Sequence, residues 1–380
     1  MTRDSPHLYF KTGRALGRDE ATLNSAIERS RLIQETNRRP VLSLGHLAAL
    51  TGTRYAYLRE IVERTSDPYS EHTRAKSGGG SRPISVPDPL LMQVQRWILE
   101  HVLGSTRTHP NSFAYTTGVS IKDCANVHLG ASWLIKLDLR NFFGSIDENA
   151  VYSAFRRLGY GPLVSLEMAR ICTRPAGPRM QSLGGKRRYA SVPSYAVESR
   201  GVLPQGAPTS GALANLVALR LDQQLSELAT TRGVAVTRYS DDIAISAGPG
   251  FTRRDASELI ARVARIAAGN GFELQDTKTR VIPPGARHVV LGLLVDGDSV
   301  RLVPEFKRRI STHVRGVSEF GLVAHTNHRG FRSAFSLINH VDGCIAFSQG
   351  IEPAYAASVR ARWTAALNAT NYPAGIGSER

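Results

Sequence analysis

Three aspartates carry the strongest chemical signal in this sequence. Asp241 and Asp242 stand side by side in RYSDDIAIS, between the runs VAVTRY and IAISA, which read as β-strands. Adjacent carboxylates repel, and a tight turn needs only one of them. The pair is therefore the acidic tip of an ordinary hairpin or a site where a divalent cation relieves the repulsion. The third aspartate, Asp138, ends the apolar run in SWLIKLDL. A carboxylate at the end of a buried strand is costly unless it is paired, hydrated or bound to metal. Oxygen ligands on two neighbouring strands suit two-metal phosphoryl transfer. One cation lowers the pKa of the attacking hydroxyl, and the other steadies the leaving pyrophosphate.

The surrounding elements must bring these residues together. Ser132–Leu139 reads as a buried strand, and Glu148–Gly159 as a helix ended by glycine. From Thr209 a long helix carries Leu213, Leu216, Val217, Leu221, Leu225 and Leu228 on one face, with Thr209 or Ser210 as its cap. Arg254–Asn270 reads as another helix stopped at Gly271, and HVVLGLLV-DGD-VRLV as a hairpin. Residues up to about 75 read as helical, and Pro89–Leu103 as a further helix. Between them SGGGSRP reads as a loop flanked by Lys76 and Arg82, and Arg174–Arg200 as a basic loop or hairpin. From Pro304 the chain reads as helical and basic, with a frayed end at NYPAGIGSER.

Composition narrows the partners. Lys and Arg number 48 against 32 Asp and Glu, a net charge of +16 over 380 residues, which favours a polyanion such as nucleic acid. Cys124, Cys172 and Cys344 are too few and too far apart for a disulfide framework or a zinc pattern, so a reducing cytoplasm is expected. The first residues lack the apolar core of a signal peptide, and no apolar run approaches a membrane span. HTNH (His325–His328), His340 and Cys344 match no familiar zinc module and read as residues of C-terminal helices.

A Tyr-x-Asp-Asp string alone is weak, since chance supplies it about 0.05 times in a chain this long. Its company in order is specific: LIKLDLRNFFGSID, then GVLPQGAPTSGALANLVALRLD, RYSDDIAIS, FELQDTKTRVI and VVLGLLVD. The first four resemble successive palm motifs of reverse transcriptases, RNA-directed DNA polymerases, and VVLGLLVD resembles the strand pair joining palm to thumb. Upstream, SRPISVPDPLLMQVQRWILEHVL and HPNSFAYTTGVSIKDCANVH resemble the finger motifs of bacterial enzymes, especially the retron group. The resemblance runs from about Ser81 to Gly297. It implies an α+β right-hand polymerase fold of fingers, a palm with an antiparallel sheet and a helical thumb. The expected division is an N-terminal helical region (1–75), fingers and palm (76–300), and thumb with tail (301–380).

By the same resemblance Asp138, Asp241 and Asp242 hold two Mg²⁺ ions, with Mn²⁺ able to substitute. Lys278 protonates the departing pyrophosphate or holds its charge. Phe143 packs under the incoming sugar and excludes a ribose 2′-OH, and Phe142 points into the core. Leu139, Gln205 and Gly206 border the nucleotide, and Arg82, with Lys76, clamps its triphosphate. Tyr239, Pro204 and His128 contact primer or template. A buried, hydrogen-bonded histidine is an equal reading of His128, because CANVH departs from the Asn-Ala-x-x-His signature of retron enzymes at Cys124. Lys307, Arg308, Arg309, Arg315, Arg329 and Arg332 of the thumb are candidates for tracking a duplex or structured RNA.

Three functions compete. A retron-type enzyme copies part of a cognate structured non-coding RNA from a ribose 2′-OH. It leaves a branched RNA–DNA hybrid, commonly in anti-phage defence with an effector on a separate chain. Another bacterial defence or diversity-generating reverse transcriptase uses a different RNA and primer. Ser240 in place of alanine and Leu291 in place of threonine leave that open. An RNA-binding scaffold with an inactive polymerase fold is the third, and the intact carboxylates, Gln205 and Lys278 argue against it.

Overall fold

The computed structural model describes residues 6–75, 81–175 and 200–370. Helices open the chain: α1 (Pro6–Ala15), α2 (Glu20–Glu35), α3 (Leu44–Thr51) and α4 (Tyr55–Val62). Asp19 and Ser43 cap α2 and α3 by accepting from the backbone N–H three residues on. The helical reading stops short of residue 75, because Tyr69–Ala75 is a strand, β1. It pairs antiparallel with β2 (Ser81–Pro87) in unbroken register from Tyr69↔Pro87 to Ala75↔Ser81. Ser81–Pro83, read as loop, thus belong to β2. Every residue of β1 after Tyr69 is exposed, so it lacks the apolar alternation that marks a strand in sequence. Lys76 and the glycine run lie outside the described residues, as do most of Arg174–Arg200 and the last ten residues.

Beyond β2 come α5 (Pro89–Ile98), capped by Asp88 and extended by a π turn to Leu103, and the short α6 (Ile121–Asn126). The centre is built from β3 (Trp133–Asp138), α7 (Glu148–Arg157), α8 (Pro162–Cys172), the paired stubs β4 (Arg174–Pro175) and β5 (Gly201–Val202), and α9 (Ser210–Arg232). The chain continues through β6 (Ala235–Tyr239), β7 (Asp242–Ala247), α10 (Arg253–Gly269) and β8 (Arg280–Ile282). The four long-range partners form one antiparallel sheet in the order β6-β7-β3-β8.

Side chains alternate across that sheet. Ile135, Leu137, Val236, Ile243 and Ile245 enter a core shared with α3, α4, α5, α8, α9 and α10, so the N-terminal helices and the sheet bury one another. Leu134 and Ala244, on the opposite face, pack with Ala125 and with Val290 and Leu293. The last two belong to a meander, β9 (Val289–Val290), β10 (Leu293–Leu294) and β11 (Arg301–Leu302), where the sequence suggested one hairpin. Four helices follow: α11 (Pro304–Phe320), α12 (Leu322–His328), α13 (Ala334–Ile351) and α14 (Pro353–Asn368). They enclose their own core of Ile310, Val317, Leu337, Val341, Val359 and Trp363. The expected α9 face is observed, with Leu213, Leu221 and Leu225 fully buried and Leu216, Val217 and Leu228 packed against the same core. Its expected cap is not. Thr209 precedes α9 without a side-chain cap bond, and Ser210 donates instead to the Pro204 carbonyl at 2.7 Å.

Candidate active site

Strand register places the three aspartates at one end of the sheet. Tyr239 pairs with Asp242 across β6 and β7, leaving Ser240 and Asp241 as a two-residue turn. Ser240 has φ +60°, a region that non-glycine residues seldom occupy. Two bonds hold it there: Arg238 Nη1 donates to its carbonyl at 2.9 Å, and its hydroxyl lies 3.2 Å from the Tyr115 hydroxyl. Asp242 stands directly opposite Asp138 across β7 and β3. The Leu139 N–H donates to the Asp241 carbonyl at 2.9 Å, tying the turn to the end of β3.

Like charges directly opposite on a sheet are unfavourable. Partial burial of its carboxyl and the charges of Asp241 and Asp138 hold Asp242 above the ordinary carboxylate range, although the residue keeps an exposed face toward the cleft. Lys278, on a 3₁₀ turn before β8, places Nζ 2.6 Å from Asp138 Oδ2. Its ammonium thus supplies at Asp138 part of the positive charge that a cation would bring. The donor set is all carboxylate oxygen, which fits a hard divalent cation. As placed, no three His, Cys, Asp or Glu side chains among the described residues converge on one point.

The carboxylates face a cleft of about 980 Å³. It gathers most of the residues expected from sequence: Arg82 from β2, Leu139 and Phe143 after β3, Pro204 and Gln205 before α9, Tyr239, and Lys278. Phe143 is half-buried with its ring toward Tyr115, whereas Phe142 is buried under the Arg238 guanidinium. Gly206 is required where it is. It has φ +121°, and a Cβ there would lie 2.7 Å from the Ser85 carbonyl oxygen. The Ser85 N–H donates to the Gln205 carbonyl at 2.8 Å, so the glycine lets β2 and the loop before α9 meet. A hollow of about 1170 Å³ lies beside β1 and α5, where Asp67 is engaged by Arg174, Asp88 caps α5, and Glu100 lies largely in solvent beside His101.

His128 is the exception among the expected contacts. It is fully buried, with Nδ1 2.7 Å from Ser246 Oγ and Nε2 2.8 Å from Thr237 Oγ1, and so offers no face to primer or template. Burial pushes its imidazole down to about 4, so it serves as a neutral link between β6 and β7.

Sequence reasoning missed three residues. Arg238 is buried and binds Asp222 through both carboxylate oxygens, at 2.6 and 2.7 Å. Tyr115 lines the cleft. Arg174 also lines it while holding Asp67, Glu71 and Ser85. Arg238 had a signal, an arginine inside an apolar strand beside the aspartates, which is affordable only when paired.

A family model described as reverse transcriptase (RNA-dependent DNA polymerase) matches residues 74–294. The retron Mx162 reverse transcriptase of Myxococcus xanthus is 33% identical over 249 residues, covering 64% of this chain and 50% of that protein. The retron Ec86 reverse transcriptase of Escherichia coli is 27% identical over 297 residues, 78% of this chain and 80% of that one. The chain thus spans half of the first relative and four-fifths of the second. Among solved structures, a telomerase from Candida albicans with a fragment of telomeric RNA aligns at TM-score 0.43 and 10% identity, covering 81% of this chain and 57% of that one.

Proposed function

Because the chain belongs to the reverse transcriptase family, we propose that it is a retron-type RNA-directed DNA polymerase acting on a cognate structured non-coding RNA. Synthesis starts from a 2′-OH of that RNA and leaves a branched RNA–DNA hybrid, in the service of anti-phage defence. The observation that carries the reading is the cross-strand pair Asp138–Asp242, with Asp241 on the adjoining turn, facing a cleft that also holds Gln205, Phe143 and Arg82. The retron enzymes among its relatives favour this class. Ser240 favours the second reading, a bacterial reverse transcriptase with another primer, in which the same carboxylates act.

Asp138, Asp241 and Asp242 are the residues that would hold Mg²⁺, two ions in this reading, with Mn²⁺ as a substitute. Bound divalent cations supply Lewis-acid activation of the attacking hydroxyl and neutralise triphosphate charge. Lys278 moves between two anions, resting on Asp138 and turning to the pyrophosphate as charge develops there. Arg82 offers a planar fork to the phosphates. Gln205, Gly206 and Pro204 border the nucleotide and template, Leu139 closes the cleft floor, and Tyr239 stands beside the primer terminus.

Phe143 is proposed to exclude the ribose 2′-OH. Phe143→Ala is therefore expected to raise ribonucleotide incorporation at least tenfold relative to deoxyribonucleotide, measured as the ratio of kcat/KM values. Unchanged selectivity would make Phe143 a packing residue only.

No helix among the described residues is long and apolar enough to cross a membrane. We place the protein in the cytoplasm with its RNA, dNTPs and any separate effector. The division into 1–75, 76–300 and 301–380 is proposed as a functional one, with the basic thumb following the duplex, although the β1–β2 pair crosses its first boundary and the β9–β11 meander its second. The test is to express the protein with its flanking locus, purify it at low salt, and sequence the bound nucleic acid after separate RNase and DNase digestion. The Asp241→Ala/Asp242→Ala double mutant runs alongside. A discrete DNA joined to one RNA by a 2′–5′ branch, absent from the mutant, is expected. Unbranched or heterogeneous DNA would favour the second reading, and RNA alone in both samples would favour a binding scaffold.

A further inference from the structure

Tyr115 is exposed over 54% of its surface, yet its position is specified from several sides. Its φ is +57°, uncommon for an aromatic residue. Its ring lies so close over Gly211, in the first turn of α9, that a Cβ there would sit 2.4 Å from the ring. It packs edge-to-face with Phe143, with ring centroids 6.0 Å apart and planes at 63°. Its hydroxyl lies 3.2 Å from Ser240 Oγ. The backbone before it is pinned too. Asn215 Nδ2 donates to the Ala114 carbonyl at 2.7 Å, and the Phe113 N–H to the Arg238 carbonyl at 2.9 Å. An exposed aromatic ring gains little from burial, so this much anchorage points to a use in the cleft it lines.

We propose that Tyr115 is a specificity-determining residue: it is the second aromatic wall of the nucleotide pocket, and its bond to Ser240 couples that wall to the turn carrying Asp241. The proposal rests on the polymerase reading above and deepens it. Phe143 and Tyr115 both line the cleft, with ring centroids 6.0 Å apart. Tyr115 thus limits how far the phenylalanine ring can swing when a sugar presses on it. Sugar selection then depends on both rings. The serine matters because alanine at 240 has no hydroxyl to offer. This chain therefore fastens the carboxylate turn to the aromatic wall by a bond that the alanine common in retron enzymes does not allow.

The experiment measures kcat and KM for one deoxyribonucleotide and the matching ribonucleotide on an RNA template. The enzymes are wild type, Tyr115→Phe, Ser240→Ala, their double mutant, and Tyr115→Ala. Tyr115→Phe and Ser240→Ala keep the packing and lose one hydrogen bond. Each is expected to lower kcat/KM for the deoxyribonucleotide by roughly two- to tenfold, and the double mutant by no more than either single. Tyr115→Ala is expected to lower the deoxy-over-ribo ratio by about tenfold or more, mainly through KM for the two nucleotides. Multiplying effects in the double mutant, or wild-type selectivity in Tyr115→Ala, would overturn the proposal while leaving the polymerase reading intact. A wild-type enzyme that incorporates neither nucleotide would overturn both.

Discussion

Asp241→Asn and Asp242→Asn are each expected to lower DNA synthesis by roughly a thousandfold or more, because each removes a carboxylate charge that the proposed two-cation site requires. RNA affinity should stay within about twofold, since the proposed binding rests on lysine and arginine against phosphate and neither variant removes a basic side chain. Stability should not suffer. The Asp242 carboxyl is held above its ordinary range by partial burial and by Asp241 and Asp138. A carboxyl whose folded pKa is raised stabilises the fold while protonated, and its ionised form costs stability as pH climbs above the unfolded value near 3.8. In the absence of divalent cation, wild type should therefore lose stability as pH rises through that window, and Asp242→Asn should lose less. Primer extension on an RNA template reads the first effect, filter binding the second, and denaturant midpoints in chelator across pH the third. Synthesis within tenfold of wild type in both variants would remove the carboxylates from the chemistry.

That such a site was legible in sequence follows from how local its parts are. The β6–β7 hairpin is a continuous segment with an apolar run on each side of a two-residue turn, and β3 is a short apolar strand ending in its acid. Each can be read from neighbours in the chain. What lay beyond reach depended on distant partners. His128 finds its two hydrogen bonds 109 and 118 residues away, so its sequence surroundings say nothing of its burial. Gly206 is constrained by the Ser85 carbonyl of another element. β1 is polar on both faces and becomes a strand only through backbone pairing with β2. Tyr115 looks like any loop aromatic until Ser240, Phe143 and Gly211 arrive around it.

For Arg238 the sequence signals the need for a partner but not which partner, and its replacement should have the largest structural effect. The guanidinium is buried to 1% exposure, as is the carboxylate of Asp222 that it grips with Nε and Nη2. Nη1 donates to the Ser240 carbonyl, and Nη2 also reaches Ser112 Oγ and Asn215 Oδ1, at 2.9 and 3.0 Å. One side chain thus joins α9, the Ser240–Asp241 turn and the loop that carries Tyr115. Arg238→Met leaves Asp222 charged, buried and unpaired, which is expected to cost about 3–5 kcal/mol. Arg238→Lys should recover only part of that, because a single ammonium cannot replace a fork with bonds in four directions. Pairing Arg238→Met with Asp222→Leu removes both charges and should restore most of the stability. It should not restore synthesis, because the Ser240 carbonyl and the Ser112–Asn215 pair still lack their donor. Denaturant midpoints and primer extension on the same four proteins separate the two roles. A cost below about 1 kcal/mol for Arg238→Met would mean that Asp222 finds another partner. Full synthesis in the double mutant would mean that the turn holds its shape without Arg238.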